Sequence, residues 1–534
     1  MHKIKQFASY GFMALMMLFV VSCNEKPATD TGDALGLVPA SASNVSSFNP
    51  KRLMDKADFE AVKSMQFFQD ALKEAKMNEP ALAAVMEDPE KSGIDLGKNA
   101  YLFTKIKPEG NMELIGGLVF SLADADAFAD MLRSADIGGF EKSKSFSYVT
   151  PESGSIIAWD GEKGFIGSGA DKNSIVTAVE EVFTGQNDGS IADNPGFQKA
   201  MKGDHDIVTY INFDSYTSML PEAAKLQLGA MGLSDEDLVG NNVASYVDFK
   251  DGEVHSESFI NLSKKVEKDL NMLFNDKVTT DFSPFVPNEG LTSFMTFAMD
   301  IKGTNQLLKE KGVGGMVNLA IARYGLTADD LANAFGGDIM LAAFANNDSN
   351  NPEMLFGTNI ADSDVLDQFI QVGKDAGFLF AEDENIYTMR GTSGALGDAF
   401  RGMGAQPSVT SNDAQLLIKD GMVFISSRKD LIAKINEGGF PNNERIEASK
   451  YNSISKNIFG MHLDFSDLAK WSDQLELLQF DDLELKSNRE KSEMRMRTNE
   501  PNENSLKSIF KMMNEAYKKD KLDIKVDDKD KKLS

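Results

Sequence analysis

Apolar residues recur along the chain with two different periods, and each period predicts one kind of element. Ala61, Met65, Phe68 and Leu72 recur at spacings of three or four positions, as on one face of an α-helix. The stretch 506–513 has the same spacing. Along 483–497, leucine and methionine instead alternate with charged residues, which is typical of strands with one solvated face. The chain therefore combines amphipathic helices with half-exposed strands.

Turn signals indicate how these strands are connected. Asp-Gly dipeptides at 160, 251 and 420 are flanked by apolar segments, and this dipeptide favours the tight turn of a β-hairpin. Consecutive strands dominate the middle of each half of the chain, while helices separate the others. The pattern predicts an α+β fold in which a mainly antiparallel sheet has helices packed on one face.

The chain also resembles itself at an offset of roughly 235 to 260 residues, which indicates internal duplication. Matching segments follow one another in the same order, among them LADADAFADML with IADSDVLDQFI and IVTYINFDSY with IFGMHLDFSD. We interpret the chain as two related tandem domains, 38–276 and 286–518, joined by a linker at 277–285. Strands near 207–213 and 458–464 should occupy equivalent positions.

The first 22 residues have the features of a secretory signal. Lys3 and Lys5 provide a positive start, and a largely apolar run, Phe7–Val21, follows. This run is too short to span a bilayer comfortably. The sequence VVSC at 20–23 resembles the lipobox of bacterial lipoproteins, in which the cysteine becomes the lipidated N-terminus. Cys23 is the single cysteine of the 534-residue chain, so we predict its lipidation and removal of the signal before it.

A lipid anchor makes the membrane the first expected partner. Lipid chains on Cys23 would hold the mature protein there, because each buried methylene contributes about 0.8 kcal/mol. Residues 23–37 are mostly polar and small, so we predict a flexible tether. Asn24 stands where an aspartate would favour the inner membrane. We therefore expect the outer membrane, with the periplasmic or surface face left open.

Composition fits a folded protein of the cell envelope. Hydrophobic residues make up 42% of the chain and charged residues 26%, which is ordinary for globular domains. The formal net charge is −27. So large an acidic excess argues against nucleic acid and against an anionic surface as direct partners.

The chain resembles an uncharacterised family of Bacteroidota lipoproteins that carry a domain of unknown function. The likeness depends on the lipobox at Cys23, on a Val-Pro pair that begins each half, and on the segment GLTADDLANAFGGDIMLAAF at 325–344. It implies an envelope location and tandem α+β repeats over nearly the whole mature chain. It supplies no catalytic residue.

Histidine and cysteine, the usual ligands and acid–base groups, form no recognisable motif. Apart from His2 in the signal, the histidines are His205, His255 and His462, and their separations match no metal motif. One cysteine allows neither an internal disulfide nor a thiolate cluster. We therefore predict no metal site, no cofactor and no catalytic set.

Clustered aspartates suggest calcium at first sight. Asp124, Asp126 and Asp130 lie close together, but an apolar residue occupies the third ligand position of an EF-hand loop. The second half repeats the arrangement with Asp362 and Asp364, again where a helix is predicted to begin. Carboxylates there accept hydrogen bonds from the first free N–H groups, so we interpret both groups as helix caps.

Two further stretches resemble catalytic or phosphate-binding loops only in part. Ser168 lies between glycines, but without the GxSxG spacing of a nucleophile elbow. The glycine-rich stretch 311–318 lacks the Lys-Ser/Thr pair of a phosphate-binding loop. Ser168 is interpreted as part of a strand-to-helix turn, and 311–318 is not interpreted as a phosphate-binding loop, since it does not follow a clear strand either.

The halves differ most at a glycine-rich insertion, 391–411, which is either a mobile connection or a binding loop. The charged tail 519–534 is expected to be largely solvated. Alternation of Leu522, Ile524 and Val526 would also allow a short edge strand there.

These observations leave three hypotheses. The first is a non-enzymatic envelope lipoprotein that acts as a binding or scaffold module, with an envelope protein as partner. The second is a carrier of a lipid or other apolar ligand. The third is a glycan hydrolase that uses two carboxylates, which sequence spacing cannot test because such groups meet only in the fold.

Overall fold

The computed structural model of the chain describes residues 33–533 apart from thirteen short ranges. These are 108–112, 136, 152–154, 170–171, 185–188, 215–233, 235–236, 238, 313, 323–324, 346–351, 391–413 and 469–478. The chain forms two compact units. The described residues of the first unit fall in the ranges Met1–Pro221, Leu238–Asn261 and Thr498–Ser534, and those of the second in Glu222–Asp237 and Leu262–Arg497.

Up to residue 261 the chain supplies ten strands to the first unit, counted over the described residues. They are β1 (Ala42–Phe48), β2 (Ala100–Lys107), β3 (Glu113–Ser121), β4 (Glu141–Lys142), β5 (Ser147–Val149), β6 (Ser155–Trp159), β7 (Lys163–Ser168), β8 (Ile207–Asn212), β9 (Asn242–Lys250) and β10 (Glu253–Asn261). The helices are α1 (Pro50–Ala57), α2 (Phe59–Lys63), α3 (Gln66–Asn78), α4 (Pro80–Glu87), α5 (Ala125–Ser134), α6 (Lys172–Thr184) and α7 (Pro195–Ala200). Short 3₁₀ turns cover Asp33–Leu37, Pro89–Ser92 and Ile191–Asp193.

From residue 262 onward the described strands are β11 (Leu291–Ala298), β12 (Phe335–Phe344), β13 (Glu353–Ile360), β14 (Leu379–Ala381), β15 (Ile386–Met389), β16 (Ala414–Lys419), β17 (Met422–Ser426), β18 (Phe459–Asp464), β19 (Phe480–Ser487) and β20 (Lys491–Thr498). The helices are α8 (Lys264–Asn271), α9 (Ile301–Glu310), α10 (Gly314–Ile321), α11 (Ala328–Ala334), α12 (Ser363–Asp375), α13 (Lys429–Asn436), α14 (Ala448–Ser455), α15 (Phe465–Leu468) and α16 (Ser505–Leu533). A 3₁₀ turn covers Ser283–Phe285.

The strand pairs from β4 to β10 and from β14 to β19 are antiparallel. The first unit has the order β4-β5-β6-β7-β3-β2-β1-β8-β9-β10. The second has β14-β15-β16-β17-β13-β12-β11-β18-β19-β20, so the two orders correspond strand by strand. The predicted α+β fold with a mainly antiparallel sheet is confirmed.

Each unit has its own core, which contains buried aromatic side chains of its strands. In the first, the rings of Tyr101, Phe103 and Phe165 are about 1% exposed. In the second, Phe294 and Phe424 are fully buried. Such burial is the main stabilising term for each sheet.

Three local expectations need correction. The flexible tether predicted for 23–37 is wrong over Asp33–Leu37, because this 3₁₀ turn buries Leu35 and Leu37 in the core. The helical stretch through Met65 is two helices, α2 and α3, separated at Ser64 and Met65. The edge strand considered at 522–526 is wrong, because α16 continues to Leu533.

The C-terminal helix also differs from the predicted domain boundaries. The predicted second domain, 286–518, includes residues 498–518, but these belong to the first unit. Conversely, α8 follows the last strand of the first half and belongs to the second unit. The reason is apolar contact: Leu506 and Phe510 pack with Leu53 and Phe68 in one hydrophobic cluster.

Candidate functional site

Two predicted functional segments lie outside the described residues. These are the lipidation site, Cys23, and the glycine-rich insertion, 391–411. The described chain begins at Asp33 and resumes after the insertion at Ala414, the first residue of β16. Lipidation and loop binding therefore stay predictions.

The aspartate groups are helix caps, as predicted. Asp124 Oδ1 accepts hydrogen bonds from the backbone N–H groups of Asp126 and Ala127 at 3.0 and 2.9 Å. Asp362 Oδ1 makes the same contacts with Asp364 and Val365 at 3.0 and 3.2 Å. Both sites satisfy N–H groups that a helix leaves free at its first turn.

The remaining sequence candidates lie on a strand, in a helix, or at strand ends. Ser168 is the exposed last residue of β7. Most of the glycine-rich stretch 311–318 lies at the start of α10. The three histidines are on different strands or strand ends, and each has its own charged neighbours.

One ionic group of the first unit surrounds Asp206, which is 1% exposed. Lys56 Nζ lies 2.6 Å from its Oδ2, and Arg52 Nε lies 3.3 Å from its Oδ1. The backbone N–H of Phe249 also donates to Oδ2 at 2.6 Å. Arg52 and Lys56 are one helical turn apart on α1, so both reach the start of β8. We call Arg52, Lys56, His205, Asp206 and Asp248 the Asp206 cluster.

A histidine–aspartate pair forms the outer side of the Asp206 cluster. His205 Nδ1 lies 3.0 Å from Asp248 Oδ2, and the ring centroid of His205 is 4.3 Å from that of Tyr246. The other oxygen of Asp248 accepts the backbone N–H of Asp206 at 3.2 Å. Arg52 Nη1 donates to the carbonyl oxygen of His205 at 3.0 Å.

The chemistry of the Asp206 cluster is that of a structural ion-pair network. An orienting carboxylate beside histidine is one part of a catalytic triad. Here, however, the cations and carboxylates of the cluster engage one another and the backbone of β8 and β9. A buried carboxylate requires such compensation, because an isolated buried charge is strongly unfavourable. The network therefore fixes α1 to the sheet.

The second unit has a buried histidine–carboxylate pair across two strands. His462 on β18 lies directly opposite Glu484 on β19, and they are 5% and 8% exposed. Ser453 Oγ donates to Glu484 Oε1 at 2.8 Å, and Lys486 forms an ion pair with the same carboxylate. Burial lowers the pKa of His462. Burial acts to raise the pKa of Glu484, but hydrogen bonds from Lys486 and Ser453 hold it below its ordinary value.

Sequence reasoning missed both groups for the same reason. Lys56 and Asp206 are 150 positions apart in the chain, and Ser453 is 31 positions from Glu484. A local signal did exist in the one-turn spacing of Arg52 and Lys56. It shows a basic helix face but does not indicate which carboxylate this face meets.

No helix in the described part of the chain is both long enough and apolar enough to cross a membrane. Among solved structures, two crystal forms of TP0453 show a weak similarity. Form III is 12% identical, covers 47% of this chain and 90% of its own, and has a TM-score of 0.26. Form I is 11% identical, covers 47% and 89%, and has the same TM-score of 0.26. These scores are too low to support an inference about fold or function.

No curated protein matches the chain. The family model of the domain of unknown function DUF4836 matches residues 35–392. The matched range covers the first half and much of the second, including β1 to β15. The chain belongs to the DUF4836 family of domains of unknown function.

Proposed function

We propose that the protein is a lipid-anchored lipoprotein of the cell envelope, held on the outer membrane, that acts as a non-enzymatic binding or scaffold module. The observation that carries the anchor is the position of Cys23, directly after an apolar run and the small Ser22. The described part of the chain begins at Asp33, and residues 24–32 are proposed as the tether. Fully extended, it would reach roughly 30 Å.

The module is proposed to consist of two diverged copies of one α+β unit. The sequence matches between halves support this, and so does the strand order, which corresponds from β4–β10 to β14–β20. β8 and β18 each lie between the first strand and the ninth strand of their own half. Two related units on one tether would offer two related surfaces to a partner.

A binding role is favoured over hydrolysis by how the ionisable groups of the described clusters are used. Asp206 and Glu484 are held by Lys56 and Lys486, and the capping aspartates bind backbone N–H groups. Carboxylates held in this way stabilise the fold. A screen with glycan, peptide and ester substrates tests the proposal, and turnover that disappears on replacing one carboxylate would overturn it.

The anchor is tested by Cys23→Ser in cells fed an alkyne-labelled fatty acid. The parent should carry the label, lose its first 22 residues and sediment with membranes, whereas the variant should be unlabelled and leave the membrane fraction. Asn24→Ala is the matched control, since it leaves the nucleophile in place. An unlabelled parent, or a Cys23→Ser variant processed and retained like the parent, would refute the lipoprotein assignment.

A further inference from the structure

The first unit contains an apolar groove that is filled by the end of the chain. We call it the helix groove: the surface of α1, α2 and α3 that residues 505–521 of α16 cover. Leu53, Val62 and Phe68 of the groove form one buried cluster with Leu506. The ring of Phe67 stacks on Phe510 with centroids 6.5 Å apart. The groove is thus shaped for an amphipathic helix.

Polar contacts fix the position of α16 along the helix groove. α3 begins after Met65, whose side chain gives no cap, and Asn514 Oδ1 accepts the backbone N–H of Gln66 at 2.8 Å instead. Asn514 is 7% exposed. The first N–H groups of a helix need such an acceptor. Without α16, the N-terminus of α3 in the groove would lack the one that Asn514 provides.

Two ion pairs lie along the helix groove. Lys507 Nζ is 2.8 Å from Asp58 Oδ2, and Lys521 Nζ is 2.5 Å from Asp70 Oδ2. The groove supplies both acids and α16 both cations. Over its whole length α16 carries nine lysines and six acids, a net charge of +3 in a chain of net charge −27. The groove therefore selects a basic helix.

The second unit has a related contact with the charges reversed. Asp58 is the C-cap residue of α1, and the residue at the C-cap of the corresponding helix α9 is Lys311. Lys311 Nζ lies 2.7 Å from Asp269 Oδ2 on α8. A basic helix against Lys311 would meet a like charge. The charge at this position therefore favours α16 on the first unit, through Asp58, and α8 on the second unit, through Lys311.

We propose that the helix groove also receives α16 from a second copy of this chain, so that two molecules exchange their C-terminal helices. The exchanged helix makes the same contacts as the resident one, so the balance depends on the connection at 499–504 and on protein concentration. Charge complementarity makes a second α16 the fitting occupant. This homotypic interaction goes beyond the proposed anchoring and scaffold role.

Complementary charge reversals on two chains test the proposal with residues 24–534. A groove variant carries Asp58→Lys and Asp70→Lys, and a helix variant carries Lys507→Asp and Lys521→Asp. In either variant alone, residues of like charge face each other at 58–507 and 70–521. When the two variants are mixed and exchange α16, every one of these contacts again joins opposite charges. Light scattering after size exclusion should give twice the monomer mass for the mixture. A mixture that keeps the monomer mass would overturn the proposal.

Two controls separate exchange from misfolding and collision. A chain with all four reversals has matched charges internally and should keep the mass of the parent, although Asp58→Lys removes the cap that Asp58 gives to α2. In otherwise parental 24–534 chains, which lack cysteine, Asp70→Cys mixed with Lys521→Cys should form a disulfide-linked species of double mass under mild oxidation. Mixing Asp70→Cys with Glu437→Cys, an exposed site of the second unit, should not. Equal yields from the two mixtures, or no product from either, would contradict helix exchange.

Discussion

The ammonium group of Lys56 lies 2.6 Å from the carboxylate of Asp206, although the two residues are 150 positions apart. Asp206 is 1% exposed, whereas Lys56 is 29% exposed. The pair connects α1 to the start of β8, and Lys56 Nζ also donates to the carbonyl oxygen of Phe249 at 2.9 Å. Loss of Lys56 would therefore leave a buried carboxylate without this cation, whereas loss of Asp206 would leave a lysine that is still partly solvated.

Replacing Lys56 with Met should destabilise the protein by about 3 kcal/mol, because it leaves a buried carboxylate with Arg52 as its remaining cation. Chemical denaturation monitored by circular dichroism measures the change. Lys73→Met on the exposed face of α3 is the matched control and should have little effect. Asp206→Asn in the Lys56→Met background should recover part of the loss. A Lys56→Met variant as stable as the control would show that the pair contributes nothing.

Gly337 should be among the least replaceable glycines of the second unit. Its φ is +94°, and a Cβ there would overlap the carbonyl oxygen of Met299. Gly421 has a similar φ of +74° but open space around it. Gly421→Ala should cost about 1 kcal/mol from backbone strain alone, and Gly337→Ala clearly more. Thermal unfolding compares the two, and equal losses would exclude the steric explanation.

Features that depend on neighbouring residues were predictable from the sequence. The Asp-Gly dipeptides at 160, 251 and 420 each connect a hairpin, β6–β7, β9–β10 and β16–β17. At the third, Asp420 and Gly421 both have positive φ, 51° and 74°, which this dipeptide tolerates well. Asp124 and Asp362 were recognisable because a cap and its helix are adjacent.

Features that depend on distant partners were not predictable. The apolar spacing of 506–513 predicted a helix correctly, but it does not encode which surface that helix covers. Phe510 meets Phe67 across more than four hundred positions. For the same reason, the sequence did not predict that His462 and Glu484 lie opposite each other on neighbouring strands, since strand register depends on the whole sheet.

Asn514→Ala should destabilise α3 by about 1 kcal/mol, because the first N–H groups of that helix lose their acceptor. Hydrogen exchange at the start of α3 gives a local measure and should accelerate at Gln66 and Phe67, the two residues whose N–H groups face Asn514 Oδ1. Asn502→Ala, at an exposed position before α16, is the control. If both variants exchange at the parental rate, the cap is not formed in solution.

The second unit should lose stability as pH falls below about 6.5, the ordinary pKa of histidine. Burial lowers the pKa of His462 in the fold, so the unfolded chain binds a proton at a pH where folded His462 stays neutral. Protonation then favours unfolding, and the free energy of unfolding falls as pH drops from 6.5 toward the lower folded value. Glu484, whose folded pKa lies below 4.5, acts the same way in a separate and more acidic window.

His462→Gln should flatten the upper part of this pH dependence, since glutamine has no proton to bind in either state. Denaturation midpoints measured in steps from pH 8 to pH 5 give the slope directly. His462→Lys is the informative companion, because a buried lysine costs free energy whether it keeps its charge or gives up its proton, so this variant should be less stable than the parent even at pH 8. Parallel slopes for the parent and His462→Gln would show that a different group titrates there. A His462→Lys variant as stable as the parent at pH 8 would show that this position is not dry in solution.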